Sequence, residues 1–210
     1  MTRIAILLYD EMTALDAIGP YEVLSRLPGA ELCFTALREG EVRTDTGFLG
    51  LVADRPLSAV SEADLLLLPG GPGDAAVRRD STTLDWVRRI HAGTTWTTSV
   101  CTGSLILAAA GLLEGLPATT HWAQLDTLAE LGAKPTRARS VESGKIVTAA
   151  GVSAGIDMAL RLAARIAGDD YAKMLQLGIE YDPEPPFDAG SPDKAPAALR
   201  EAVRSALSRA

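Results

Sequence analysis

The sequence predicts an α/β fold with a mostly parallel β-sheet and helices on both faces. Segments suited to strands alternate with segments suited to helices along most of the 210 residues. The strand segments are continuous aliphatic runs, such as RIAILLY at 3–9 and the LLLL of DLLLLPGG at 64–71. Such runs indicate strands that are covered on both faces, as in a parallel sheet.

The first half of the chain contains three predicted strands, a hairpin and two helices. They are a strand at 3–9, a helix opened by Gly19-Pro20 and ended by Pro28-Gly29, a strand at 31–37, a hairpin at 41–53, a strand at 64–71 and a helix from about Ser81 to Ala92. Proline suits a first helical turn, and Ser81 is the predicted N-cap of its helix. Cys33, inside the second strand, is most simply a small buried apolar residue.

The second half continues the alternation and ends in a surface segment and a helix. Its predicted elements are a strand at 94–100, helices at 102–113 and 121–132, strands at 137–142 and 145–150, helices at 153–168 and 169–179, a proline-rich surface segment at 182–196 and a C-terminal helix at about 197–209. Gly132 is placed to end its helix. We expect a single domain over residues 1–210.

Composition excludes several classes of protein. The net charge of −7 argues against nucleic acid as a partner, because such binding needs clustered Lys and Arg. The two cysteines, Cys33 and Cys101, form no disulfide framework, so a cytoplasmic location is expected. No apolar run approaches the length of a membrane span, and the N-terminal apolar run reaches Asp10 too soon for a signal peptide. No cluster has zinc-ligand spacing, and no cofactor is expected.

Cys101 lies where a predicted strand turns into a helix. The pattern Ser99-x-Cys101-x-Gly103 has the form of a nucleophile elbow, whose sharp turn needs small residues two positions away on each side. The corner side chain is then expected to face a crevice, with the helix N-terminus favouring thiolate. A buried cysteine that only packs is the alternative interpretation.

Two other strand ends can share a site with Cys101, because ligands bind at the carboxyl ends of parallel strands. At Gly70 and Gly71, peptide N–H groups can approach a substrate and hold developing negative charge, although a plain tight turn fits too. Asp16 stands among apolar residues in the loop after the first strand. It is either a helix cap or an inward-facing functional group.

Taken together, five segments resemble the ThiJ/PfpI branch of the glutamine-amidotransferase-like superfamily, and within it the isonitrile hydratases. They are LDAIGPYEVL, LLLLPGGPG, SVCTGSLILAAAGLLEG, ATTHW and GVSAGIDMAL, and the similarity runs from about residue 3 to about residue 190. The resemblance implies a flavodoxin-like three-layer sandwich, a homodimer and a cysteine nucleophile.

The resemblance also implies roles for single residues. Cys101 matches the nucleophile, Asp16 the acid that contacts it, Thr102 the residue after the cysteine, and Gly70 and Gly71 the peptide N–H donors. Protease-like members carry histidine where this chain has Thr102, so a Cys-His proteolytic pair is poorly supported.

The implied reaction is hydration of an isonitrile to an N-substituted formamide through a thioimidate on Cys101, with Asp16 as general acid and base and one proton shared by the pair. Candidates for the pocket wall are His121, Trp122 and Ile156, whose plainer roles are helix-start packing, core or dimer contact. The alternatives are an oxidative-stress sensor that uses Cys101 and another thiol hydrolase or glyoxalase-like enzyme on the same scaffold.

Overall fold

A seven-stranded sheet forms the centre of the molecule in a computed structural model that describes residues 1–207. The strands of the chain are β1 (Thr2–Leu7), β2 (Ala30–Ala36), β3 (Gly40–Arg43), β4 (Gly50–Ala53), β5 (Arg55–Pro56), β6 (Leu65–Leu68), β7 (Trp96–Val100), β8 (Pro117–Ala118), β9 (Lys134–Pro135), β10 (Ser140–Ser143) and β11 (Ile146–Ala149). The sheet order is β10-β11-β7-β6-β1-β2-β5, and β10 alone within it pairs antiparallel. The carboxyl ends of β11, β7, β6 and β1 therefore lie side by side.

Helices cover both faces of this sheet. The α-helices among residues 1–207 are α1 (Ala14–Leu24), α2 (Asp74–Val77), α3 (Ser81–Gly93), α4 (Gly103–Ala109), α5 (Leu125–Glu130), α6 (Ala154–Ala167), α7 (Asp169–Gly178) and α8 (Ala197–Leu207). One apolar core joins the sheet to α1, α6 and α7, and the other joins it to α3, α4 and α5. Along β6 the leucines alternate between the two cores. The predicted flavodoxin-like three-layer sandwich is confirmed.

The first helix corrects one prediction. It begins at Ala14, not at Gly19-Pro20, and ends at Leu24, so Pro20 lies inside it. Proline there removes the N–H that would bond to the Asp16 carbonyl, which disfavours a helix locally. Packing outweighs this cost, since α1 lies close against α6: a Cβ added at Gly19 would be 3.0 Å from Cγ1 of Ile156. The earlier start also places Asp16 in the first turn of the helix.

Several further boundaries differ in detail. The helix predicted at 102–113 ends at Ala109, and the one predicted at 121–132 is a 3-10 turn at Trp122–Gln124 followed by α5. The N-cap of α3 is Asp80, not Ser81, because the Asp80 carboxylate accepts hydrogen bonds from the N–H groups of Thr82 and Thr83. The C-terminal helix predicted at about 197–209 is seen over Ala197–Leu207, and positions 208 and 209 lie outside the described residues. Within residues 1–207, no helix has the length and apolar character needed to cross a membrane.

Candidate active site

Cys101 occupies a strained corner between β7 and α4. Its φ of 55° lies in the left-handed region, which is unusual for a residue other than glycine. The surrounding structure fixes it: the Cys101 N–H is shared between the carbonyls of Ala149 (3.1 Å) and Ala150 (3.2 Å). The Cys101 carbonyl accepts from the hydroxyls of Thr120 (3.0 Å) and Ser104 (3.2 Å). Such over-determined strain is typical of functional positions.

Small residues around the corner are required by close backbone contacts. A Cβ added at Gly103 would lie 2.1 Å from the Leu68 carbonyl oxygen. One added at Gly70 would lie 2.4 Å from the Thr102 nitrogen and 2.9 Å from the Cys101 Cβ. The end of β6 and the corner after β7 therefore pack together with no room for a larger side chain.

Asp16 reaches this corner from α1. Its side chain is fully buried, at 0% exposure, and Oδ2 accepts a hydrogen bond from the Gly70 N–H at 3.0 Å. Oδ1 has no hydrogen-bond partner among residues 1–207. Burial raises the pKa of Asp16 to about 7, against the opposing effects of the Gly70 N–H and the nearby Cys101 thiol. Asp16 therefore faces inward, which is one of the two predicted alternatives. It is not the helix cap, because Thr13 is the residue at the N-cap of α1.

Cys101 is itself buried, with 5% exposure, and its thiol lies beside Asp16. Burial is the main cause that raises the pKa of Cys101 well above its ordinary value, and the Asp16 charge adds to it. The Thr102 N–H opposes the rise by hydrogen bonding to the sulfur. The expected stabilisation of thiolate by the helix N-terminus is therefore outweighed, and α4 is a short helix of seven residues. The raised pKa therefore favours the neutral thiol over the thiolate at Cys101.

The N–H groups of Gly70 and Gly71 are both engaged. The Gly70 N–H binds Asp16, and the Gly71 N–H donates to Oγ1 of Thr102 at 2.9 Å. The Thr102 hydroxyl in turn donates to the Gly71 carbonyl at 3.3 Å. In this structure the two N–H groups thus position Asp16 and Thr102, and their binding of developing negative charge remains a prediction.

Sequence reasoning missed a second buried carboxylate near the corner. Asp74 is 6% exposed, and Nε of Arg78 donates to its Oδ1 at 2.7 Å. Burial raises the pKa of Asp74, while the Thr102 hydroxyl and Arg78 oppose the rise. The available signal was the spacing of four residues between Asp74 and Arg78, directly after the Gly-rich turn. Tyr9 is close as well, and its hydroxyl donates to the Pro69 carbonyl at 2.9 Å.

The residues predicted for the pocket wall are not all together. Trp122 lines a cavity of about 540 Å³ beside the corner, whereas His121 and Ile156 do not line it. The His121 ring packs on Gly151, where an added Cβ would be 2.3 Å from its Cδ2, and burial lowers the pKa of His121. Ile156 packs against Gly19 of α1. No group of His, Cys, Asp and Glu within residues 1–207 is arranged to hold a metal ion.

Comparisons with known proteins find a matching family, a similar curated protein and similar solved structures. The model of the DJ-1/PfpI family matches residues 2–165. An isonitrile hydratase of Pseudomonas putida is 44% identical over 202 residues, which cover 96% of this chain and 88% of that protein. The crystal structure of a ThiJ/PfpI family protein from Pseudomonas syringae has a TM-score of 0.95 and 40% identity, and covers 99% of this chain and 86% of that one. The crystal structure of Drosophila melanogaster DJ-1beta (TM-score 0.79, 21% identity, 87% of this chain and 99% of that one) shares the fold.

Proposed function

The chain belongs to the DJ-1/PfpI family, and from that premise we propose that it is an enzyme that hydrates isonitriles to N-substituted formamides. One observation supports this proposal above the others: a fully buried Asp16 carboxyl lies close to the Cys101 thiol, and the pKa of Asp16 is raised to about 7. The 44% identity with the Pseudomonas putida isonitrile hydratase supports the same reaction.

The first half of the reaction forms a covalent intermediate. The Cys101 sulfur adds to the isonitrile carbon while its proton passes to the Asp16 carboxylate. Asp16 then delivers that proton to the same carbon, which gives the thioimidate R–N=CH–S–Cys101. A pKa near 7 suits both proton transfers, since a catalytic group works best when its pKa is close to the ambient pH.

The second half releases the product. Water adds across the C=N bond, so that its oxygen binds the carbon and one proton goes to the nitrogen. The C–S bond then breaks with its electron pair going to sulfur, and the proton of the new hydroxyl returns to sulfur through Asp16. The products are R–NH–CHO and the Cys101 thiol. The N–H groups of Gly70 and Gly71 lie beside this centre, and Thr102 fixes the Gly71 peptide.

The sensor alternative gains no support from the site. Peroxide oxidises thiolate rather than thiol, and exposed cysteines with a low pKa are the usual sensors. Cys101 is buried and its pKa is raised, which is the opposite environment.

An assay with purified protein tests the proposal. Cyclohexyl isocyanide is added, and N-cyclohexylformamide is measured over time in wild type, Cys101→Ala and Cys33→Ala. We expect turnover in wild type and Cys33→Ala, and loss of at least about a thousandfold in Cys101→Ala. Absence of formamide with the wild-type protein, or equal rates in the two cysteine variants, would contradict it.

The homodimer is also a proposal. The apolar residues Leu199, Val203 and Leu207 recur every four residues along α8 and are exposed in the single chain, which suits a face that packs on a second copy. Sedimentation equilibrium of the purified protein distinguishes a monomer from a dimer.

A further inference from the structure

The cavity beside the corner is in contact with the backbone that holds Cys101. Its lining includes Thr120 and Ala150. The Thr120 hydroxyl binds the Cys101 carbonyl at 3.0 Å, and the Ala150 carbonyl accepts from the Cys101 N–H at 3.2 Å. Segment 190–193 and two arginines of α8 form another part of the lining. About 540 Å³ of space therefore lies one layer of residues from the elbow, on the side of β11.

This cavity is rich in positive charge although the chain as a whole carries −7. Its charged lining residues are Arg137, Arg139, Arg200, Arg204 and Asp193. Arg137 pairs with Asp193 at 3.8 Å, and Arg139 pairs with Asp157. No ion pair with a carboxylate is formed by the other two arginines within residues 1–207. Arg200 and Arg204 therefore have no carboxylate partner in the described part of the chain.

These two arginines are held in place by neutral groups. Nη1 of Arg200 donates to the carbonyls of Pro192 (2.8 Å) and Ala195 (3.3 Å). The Arg204 guanidinium lies 5.3 Å from the centre of the Trp122 ring. Carbonyls and an aromatic ring orient a guanidinium without neutralising it, so its charge stays available to an anion.

We propose that this cavity binds an anionic group on the isonitrile's substituent, so that the preferred substrates are isonitriles that carry a carboxylate. The inference rests on the proposed function, because it assigns the substituent of a substrate whose isonitrile carbon is at Cys101 and whose chain extends past Thr120 and Ala150 into the cavity. Arg200 and Arg204 bind the carboxylate, and Trp122 contacts the apolar linker. The product of such a substrate is an N-formyl amino acid, R–NH–CHO with the same carboxylate.

Kinetics with charged and neutral isonitriles test this inference. Isocyanoalkanoates of increasing chain length are compared with cyclohexyl isocyanide in wild type, Arg200→Gln, Arg204→Gln and Arg200→Lys. For the best carboxylate substrate, we expect each Gln variant to raise KM about tenfold with little change in kcat, because one charge-assisted contact to the substrate is lost. Cyclohexyl isocyanide is expected to behave alike in all variants. Added salt is expected to raise KM for the charged substrate only.

Two controls separate a local effect from a general one. Arg89→Gln removes the same charge from the exposed side of α3, outside the cavity lining, and is expected to leave both substrates unaffected. Arg200→Lys is expected to retain part of the affinity. Arg204→Gln removes a side chain whose described contact is with a ring, so it tests the charge even when Arg200→Gln disturbs the turn at 192–195.

Binding without turnover keeps the inference separate from the proposed reaction. N-formylglycine and longer N-formyl amino acids are titrated into the protein by calorimetry. Carboxylate binding that weakens in both Gln variants supports the anion site even when no isonitrile is hydrated, and in that case the proposed reaction and the isonitrile substrates fail while the anion site stands. If wild type hydrates cyclohexyl isocyanide but neither prefers nor binds the carboxylate compounds, the inference is overturned and the proposed function stands.

Discussion

The two cysteines of this chain lie in the same sheet and have very different surroundings. Cys33 sits inside β2, half-buried and paired with Ala5 of β1, and burial raises its pKa. Cys101 stands at a left-handed corner after β7, where its buried neighbours include the Asp16 carboxyl. Burial is common to both, so burial alone does not make a reactive site. The strained corner and the adjacent acid distinguish Cys101.

Removing the Asp16 carboxyl should bring the reactivity of Cys101 closer to that of Cys33. For Asp16→Asn we expect a loss of about a hundredfold or more in kcat/KM, since the amide cannot relay a proton. Wild-type kcat/KM for a neutral isonitrile is expected to rise with pH through about 7, as Asp16 loses its proton and can accept that of Cys101. In Asp16→Asn, kcat/KM should not show that rise with pH. A full pH profile of both proteins checks it, and an unchanged profile in Asp16→Asn would rule out the proton relay.

Disturbing the corner should lower stability more than the same change elsewhere. Gly103→Ala places a methyl group against the Leu68 carbonyl, 2.1 Å away, and is expected to lower the free energy of unfolding by about 3 kcal/mol. Gly93→Ala is the matched control, since nothing lies within 4 Å of a Cβ there at the end of α3. It should be neutral or slightly stabilising. Urea unfolding measures both, and equal effects would mean that the corner is not tightly packed.

The buried acid should also make stability depend on pH. The pKa of Asp16 is about 7 in the folded chain and 3.8 when unperturbed, so the folded state binds the proton more tightly. The stability that the folded state gains from protonated Asp16 is therefore fully present below about pH 4 and is lost as pH rises through about 7. We expect Asp16→Asn to gain stability relative to wild type by up to a few kcal/mol across that window. Unfolding curves from pH 4 to pH 8, taken on both proteins, should diverge; parallel curves would contradict the raised pKa.

The smallest effect is expected from substituting Cys33, the second cysteine of the comparison. Cys33→Ala should change kcat/KM by less than about twofold, because Cys33 lies inside β2, beside Ala5 of β1. Steady-state kinetics with cyclohexyl isocyanide give the answer. A loss similar to that of Cys101→Ala would remove the distinction between the two thiols.

The sequence predicted the sheet, the layers and the corner because each follows from local patterns. Continuous aliphatic runs identified β1 and β6, and small residues on both sides of Cys101 identified the turn. It misplaced the start of α1, because packing against α6 decides that boundary and local preference does not.

Other features of the site depend on contacts between distant segments. The Asp74 carboxylate becomes buried only when the turn after β6 folds against the corner. The occupation of the Gly70 and Gly71 N–H groups likewise needs Asp16 and Thr102 brought to them from 54 and 31 positions away. Spacing along the chain carries no signal for such pairs.

Direct detection of the covalent intermediate tests the central claim. The protein is mixed with cyclohexyl isocyanide, treated with borohydride during turnover to reduce the C=N bond, digested and analysed by mass spectrometry. We predict a peptide that carries the isonitrile plus two added hydrogens on Cys101, with the Cys33 peptide unmodified. Steady formation of formamide with the label on Cys33, or with neither cysteine modified, would contradict attack by Cys101.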